Sequence, residues 1–109
     1  MITTRQEAGI LVCELSGRLD ATSSEAAATE LLALVAAGNA KLLLNLKTLD
    51  YVSSIGLRVF VRVAKATHAA GGALKLCSPT SSVAKVLEIS GMDNLLDLHT
   101  EESAALAAF

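Results

Sequence analysis

The hydrophobic and polar positions of this chain follow two different periods, and the changes between them predict its elements. Short apolar runs of about five residues are typical of β-strands that are buried on one or both faces. Longer segments in which apolar residues recur every three or four positions are typical of amphipathic helices. The predicted strands are Ile2–Gln6, Ile10–Leu15, Leu42–Leu46, Ala73–Cys77 and Leu95–His99.

Four helices are predicted between and after these strands, from N-cap residues, capping glycines and helical spacing. The first runs from a capping box of Thr22 and Glu25 to Gly38, the second from Ser53 or Ser54 to Gly71, the third from Ser78 and Pro79 to Gly91, and the fourth begins at Thr100. Residues 16–20 and 47–51 are expected to be loops. Strands that alternate with helices imply right-handed crossovers and a largely parallel sheet, so an α/β fold is predicted.

The composition supports one domain, expected to span residues 1–109, with an aliphatic core. Of the 109 residues 52% are hydrophobic and only 3% aromatic, which disfavours a base-stacking surface. A net charge of −2 disfavours nucleic-acid binding.

No apolar run reaches the ~20 residues of a membrane span and no leader pattern is found, so we expect a cytoplasmic protein. Cys13 and Cys77 lie in apolar runs and are expected to be reduced core thiols.

Two adjacent serines at the predicted strand-to-helix junction are the strongest candidate for function. Spacing alone favours a capping role for one hydroxyl of Ser53 or Ser54, and a phosphorylation switch is the alternative. A hydrolase is disfavoured, because His68 lies fourteen positions further along the same helix, or roughly 21 Å away. No metal-ligand spacing or phosphate-binding glycine loop is present, so we expect no metal, no cofactor and no enzyme activity.

Three separated blocks of the chain carry a family resemblance: ILVCELSGRLDA, LLLNLKTLDYVSSIGLRVF and GGALKLCSPTSSVAKVLEISGMDNLLDL. Together they resemble the STAS domain, in particular the stand-alone anti-sigma factor antagonists of bacterial partner-switching modules. The resemblance implies a mixed, mostly parallel sheet of four to five strands backed by about four helices. It also implies a transcription-regulating signal transduction protein.

The same resemblance implies the site residues. In the family, a serine two residues before a helix-start glycine is phosphorylated by an anti-sigma kinase, which matches Ser54 and Gly56. The family often has Asp where this chain has Ser53, so Ser53 is the second choice. The implied partner-binding residues are Asp20, Tyr51, Ser53, Ser54, Gly56, Leu57 and Arg58.

The implied partners are an anti-sigma factor that is a serine kinase of the ATPase-kinase fold, and a serine phosphatase. The unphosphorylated protein would bind the kinase, phosphorylation would release it, and the phosphatase would reset the cycle. The alternative hypothesis is a STAS subunit that docks constitutively in a larger transport or stress-signalling complex and is never phosphorylated.

Overall fold

The computed structural model describes all residues from 1 to 109 and contains five strands and five helices. The strands are β1 (Ile2–Glu7), β2 (Ile10–Leu19), β3 (Lys41–Val52), β4 (Ala73–Cys77) and β5 (Asp97–His99). The helices are α1 (Ser24–Ala36), α2 (Ser54–Ala69), α3 (Ser81–Ser90), α4 (Met92–Leu95) and α5 (Glu102–Ala107).

The strands form one sheet in the order β1-β2-β3-β4-β5. The β1 strand is antiparallel to β2, and the other three strand pairs are parallel. Helix α1 connects β2 to β3, and α2 connects β3 to β4, as expected of parallel neighbours. The predicted mixed, mostly parallel α/β sheet is therefore confirmed.

The core lies on both faces of this sheet. On one face the main cluster joins alternate residues of β2, β3 and β4 to the apolar sides of α1, α2 and α3. On the other face a smaller cluster joins Ile10, Val12, Leu43 and Cys77 to Ala105 of α5. Both cysteines are free and buried, which confirms their prediction as core thiols, and burial raises the pKa of Cys13 to about 11.

Two predicted loops are strand instead. Residues 16–19 continue β2 and residues 47–52 continue β3, so the two strands pair through a longer parallel ladder than predicted. The sequence pattern does not predict this extension for two reasons. The buried positions Leu46, Leu49 and Val52 are three residues apart rather than the two expected of a strand. The pairing with β2 also shifts its register at two irregularities. Gly17 has φ +84° beside one of these irregularities, which suits a glycine.

Three details of the predicted helices are wrong. Ser23 rather than Thr22 precedes α1, and no side chain caps that helix. Thr80 rather than Ser78 caps α3, because Ser78 adopts φ +56° and the Thr80 hydroxyl accepts a hydrogen bond from the Val83 N–H at 3.3 Å. Leu95, predicted to begin the last strand, is instead the last residue of the short helix α4, which was not predicted and brings the helix count to five.

Candidate functional site

The strand-to-helix junction after β3 lies beside the end of β2. In the parallel ladder Arg18 is opposite Tyr51 and Leu19 is opposite Val52. The carbonyl oxygen of Leu19 then accepts a hydrogen bond from the backbone N–H of Ser53 at 2.9 Å. Because both strands point the same way, the loop that follows each one leaves the sheet at its carboxyl edge. The sheet therefore brings the Asp20 loop and the Ser53–Ser54 junction together.

The two serines of this junction have different environments. Ser53 is the N-cap of α2, and its half-buried hydroxyl accepts a hydrogen bond from the Gly56 N–H at 3.1 Å. Ser54 is the first residue of α2, is exposed, and its hydroxyl contacts no protein hydrogen-bond partner. The prediction that α2 begins at this pair is confirmed. The structure gives the capping role to Ser53 and leaves the hydroxyl of Ser54 free at the surface.

Gly56 allows the first turn of α2 to approach β2 closely. A Cβ atom at this position would lie 2.6 Å from the carbonyl oxygen of Leu19 and 2.8 Å from Cγ2 of Val52. Backbone oxygen cannot move away without disturbing the ladder, so a glycine is required here for packing rather than for backbone freedom. Gly56 thereby fixes the position of Ser54 relative to the end of β2.

Asp20 organises the loop that faces the junction. Its Oδ1 accepts hydrogen bonds from the Thr22 hydroxyl at 2.8 Å, the Thr22 N–H at 3.0 Å and the Ser23 N–H at 3.2 Å. These bonds, led by the Thr22 hydroxyl, lower the pKa of Asp20 to about 2. The Arg18 guanidinium lies 3.6 Å from Oδ2. The carboxylate is thus ionised and held in one orientation near neutral pH.

The exposed rim of the site is partly apolar. Tyr51 is 39% exposed, with the Arg18 guanidinium 4.3 Å from its ring centroid, a cation–π distance. Ile55, directly after Ser54, is 46% exposed. Exposed apolar side chains beside a polar centre are typical of surfaces that contact another protein.

The remaining predicted site residues divide between surface and core. Arg58 lies on the exposed side of α2. Leu57 is buried, with 5% of its surface exposed, and Gly56 is buried as well. Leu57 packs in the main core cluster, and Gly56 lies against Leu19 at the end of β2. Their roles as partner-binding residues stay predictions.

Sequence reasoning missed two features of this site. Arg18 and Ile55 belong to its rim, and Thr22 and Ser23 donate to Asp20 rather than capping a helix. The sequence D-A-T-S does hold a signal for the second feature, because Asp side chains often accept from the backbone two residues further on. The position of Arg18 over Tyr51 depends on the strand register and has no local signal.

Comparison with known proteins places this chain in a family. A family model described as STAS domain matches residues 1–106. The chain belongs to the STAS domain family. A protein of Bordetella bronchiseptica that carries the name anti-sigma factor antagonist BtrV is 39% identical to this STAS chain over 101 residues, covering 93% of the chain and 87% of the relative.

Solved structures share the STAS fold over nearly the full chain. An anti-sigma factor antagonist from Mycobacterium paratuberculosis has a TM-score of 0.89 at 19% identity, covering 99% of this chain and 92% of that one. SpoIIAA, described as a Bacillus cell fate determinant, has a TM-score of 0.72 in its phosphorylated form at 21% identity, covering 100% of both chains. At these identities the likeness shows the fold. No helix of this STAS domain has the length and apolar character needed to cross a membrane.

Proposed function

We propose that this STAS domain is an anti-sigma factor antagonist of a partner-switching system, with Ser54 as its phosphorylation switch. The unphosphorylated protein binds an anti-sigma factor that is also a serine kinase, and thereby frees the sigma factor. Phosphorylation of Ser54 releases the kinase, and a serine phosphatase restores the binding form. The names of the relatives support the antagonist function.

The observation that carries the switch is the contrast between the two serines. Ser54 presents a free hydroxyl, whereas the hydroxyl of Ser53 already accepts the Gly56 N–H. A phosphate on Ser53 would disrupt the hydrogen bond between that hydroxyl and the Gly56 N–H. A phosphate on Ser54 leaves the cap intact and lies where the helix dipole favours an anion. The fold therefore tolerates modification at Ser54, and the effect falls on the surface.

Release follows from the charge that a phosphate adds to the contact surface. The modification places about −1.5 to −2 charges at position 54 at neutral pH. The neighbouring side chains Tyr51 and Ile55 are exposed and apolar, so a partner that covers them also excludes water from the phosphate. Burying this anion against a partner that offers it no matching cation costs several kcal/mol, and about 3 kcal/mol lowers affinity roughly a hundredfold. No change of fold is needed.

The experiment measures binding to the cognate anti-sigma kinase by calorimetry. The unmodified protein is compared with protein that carries phosphoserine incorporated at position 54 during translation. The matched control carries phosphoserine at position 103, an exposed serine in the first turn of α5, which packs on the opposite face of the sheet. We expect an affinity loss of roughly a hundredfold for phosphoserine at position 54 and little change for position 103.

Equal binding of all three proteins would overturn the switch and favour a STAS subunit that docks constitutively. An equal loss for both phosphorylated proteins would show a general charge effect and would also overturn a switch located at Ser54.

A further inference from the structure

Arg58 is an exposed cation without an ion pair, one helical turn after Ser54. Helix α2 carries three exposed arginine and lysine side chains, Arg58, Arg62 and Lys65. Arg62 is paired with Glu25 of α1 at 3.3 Å. Arg58 has no carboxylate within ion-pair distance, and the first turn of α2 contains no acidic residue. Cations gain from the helix dipole at the C-terminus, so a position near the N-terminus gives Arg58 no such benefit in the unmodified helix.

The spacing aligns Arg58 with Ser54 rather than with Ser53. Residues four apart on a helix have Cβ atoms about 5–6 Å apart on one face. Helical side chains also lean toward the N-terminus, so a guanidinium at position 58 can reach back over the turn that begins at Ser54. An acidic group four residues before a basic group is the more favourable order. Ser53 is five residues from Arg58 and lies outside this alignment.

The charged groups around the junction leave Arg58 available. At the end of β2, Arg18 is paired with Asp20, the residue that follows the strand, and Asp20 also accepts hydrogen bonds from Thr22 and Ser23. On β3, Asp50 is exposed and forms no ion pair. The ring of Tyr51 is already in cation–π contact with Arg18. Lys65 also forms no ion pair, but it lies about three helical turns from Ser54. Arg58 is therefore the unpaired cation nearest to Ser54 on the helix.

We propose that Arg58 is the counter-charge of a phosphate on Ser54, and so a residue that positions the phosphoserine. The proposal rests on Ser54 being the modified serine. In the phosphorylated protein the guanidinium pairs in cis with the phosphate across one helical turn. In the unmodified protein the same cation is free to contact a carboxylate of a partner. Phosphorylation then changes two features of the contact surface together, because it adds an anion and withdraws a cation.

The test is a phosphorus NMR titration of protein with phosphoserine incorporated at position 54, with and without Arg58→Gln. A phosphoserine has a second pKa near about 6, and a cation in contact lowers it. A helical pair at this spacing corresponds to about 0.3 pH unit, so we expect the phosphate pKa to rise by about that amount in Arg58→Gln. The difference should vanish in ~1 M salt.

Two controls separate this pairing from a general effect of positive charge. Arg62→Gln removes a cation two turns from Ser54 that is already paired with Glu25, and it should leave the phosphate pKa unchanged. Phosphoserine placed at position 53 should be insensitive to Arg58→Gln. A phosphate pKa at position 54 that is the same with and without Arg58, or an equal response to Arg62→Gln, would overturn the proposal.

The titration needs no kinase or partner. An unchanged phosphate pKa in Arg58→Gln would contradict the role of Arg58 without contradicting the proposed switch at Ser54. A shift at position 54, together with a native protein that no kinase modifies, would support the pairing and contradict the proposed function.

Discussion

The carbonyl oxygen of Leu19 lies 2.6 Å from the place where a Cβ atom would stand on Gly56. The same oxygen accepts the hydrogen bond of the Ser53 N–H at 2.9 Å. One backbone atom at the end of β2 therefore holds the N-cap residue of α2 and also limits how closely the first turn of α2 can approach β2. The position of Ser54 depends on that contact.

Gly56→Ala is predicted to destabilise the protein and to move the acceptor serine. Overpacking lowers the free energy of unfolding by about 1–3 kcal/mol. The better helix propensity of alanine raises it by ~1 kcal/mol. We expect a net loss of up to about 2 kcal/mol in the free energy of unfolding, measured with urea, and a slower phosphorylation of Ser54 by the cognate kinase.

Gly72→Ala is the matched control for this change. Its Cβ would lie 2.0 Å from the carbonyl oxygen of Ala40, where the chain enters β4 at the opposite edge of the sheet. This variant should lose stability and keep its phosphorylation rate under conditions where it is folded. If both variants lost phosphorylation equally, Gly56 would have no special part in placing Ser54.

Ser53→Ala and Ser54→Ala should differ in stability. Ser53 accepts the Gly56 N–H, and removing an N-cap side chain costs ~1 kcal/mol. Ser54 is exposed and its hydroxyl has no protein partner, so its loss should change the free energy of unfolding by less than about 0.5 kcal/mol. Urea unfolding of the two variants measures this, and a larger loss for Ser54→Ala would contradict the capping assignment.

Thr22→Val is predicted to raise the pKa of Asp20. The Thr22 hydroxyl is the largest cause that lowers this pKa to about 2, and the two backbone N–H donors remain in the variant. We therefore expect a value between about 2 and the ordinary 3.8, measured by carbon NMR of the Asp20 carboxyl group. An unchanged value would show that the loop is held by other groups.

The same shift gives the direction of a pH effect on stability. The pKa of Asp20 is lower in the folded than in the unfolded protein, so the carboxylate stabilises the fold above its unfolded pKa. That contribution is lost as the pH falls from about 4 through about 2. Thr22→Val should make the fall in stability over this range shallower, as thermal unfolding at several pH values would show.

The sequence predicted those parts of the fold that depend on local signals. The start of α2 at Ser53 or Ser54 follows from a change of period beside two good N-cap residues, and the structure has it there. The ends of β2 and β3 could not be predicted in this way, because residues 16–19 and 47–52 are strand only by virtue of pairing with each other. Tertiary pairing outweighs their polar character.

The candidate site shows the same division. Spacing could not tell which serine caps α2, since either hydroxyl can serve, and only the backbone angles of Ser53 decide it. The approach of Leu19 to Gly56 and of Arg18 to Tyr51 joins residues more than thirty positions apart. Such contacts depend on the register of a parallel ladder, and two irregularities in β2 shift that register before Arg18 and Leu19 are reached.

The proposed switch requires that Ser54 accepts a phosphate from a serine kinase. Intact-mass spectrometry with site mapping, after incubation with ATP and the cognate kinase, tests it most directly on wild type, Ser53→Ala and Ser54→Ala. We predict one phosphate on wild type and on Ser53→Ala, and none on Ser54→Ala. A phosphate that persists in Ser54→Ala, or no phosphate on wild type from a kinase active on another substrate, would contradict the account.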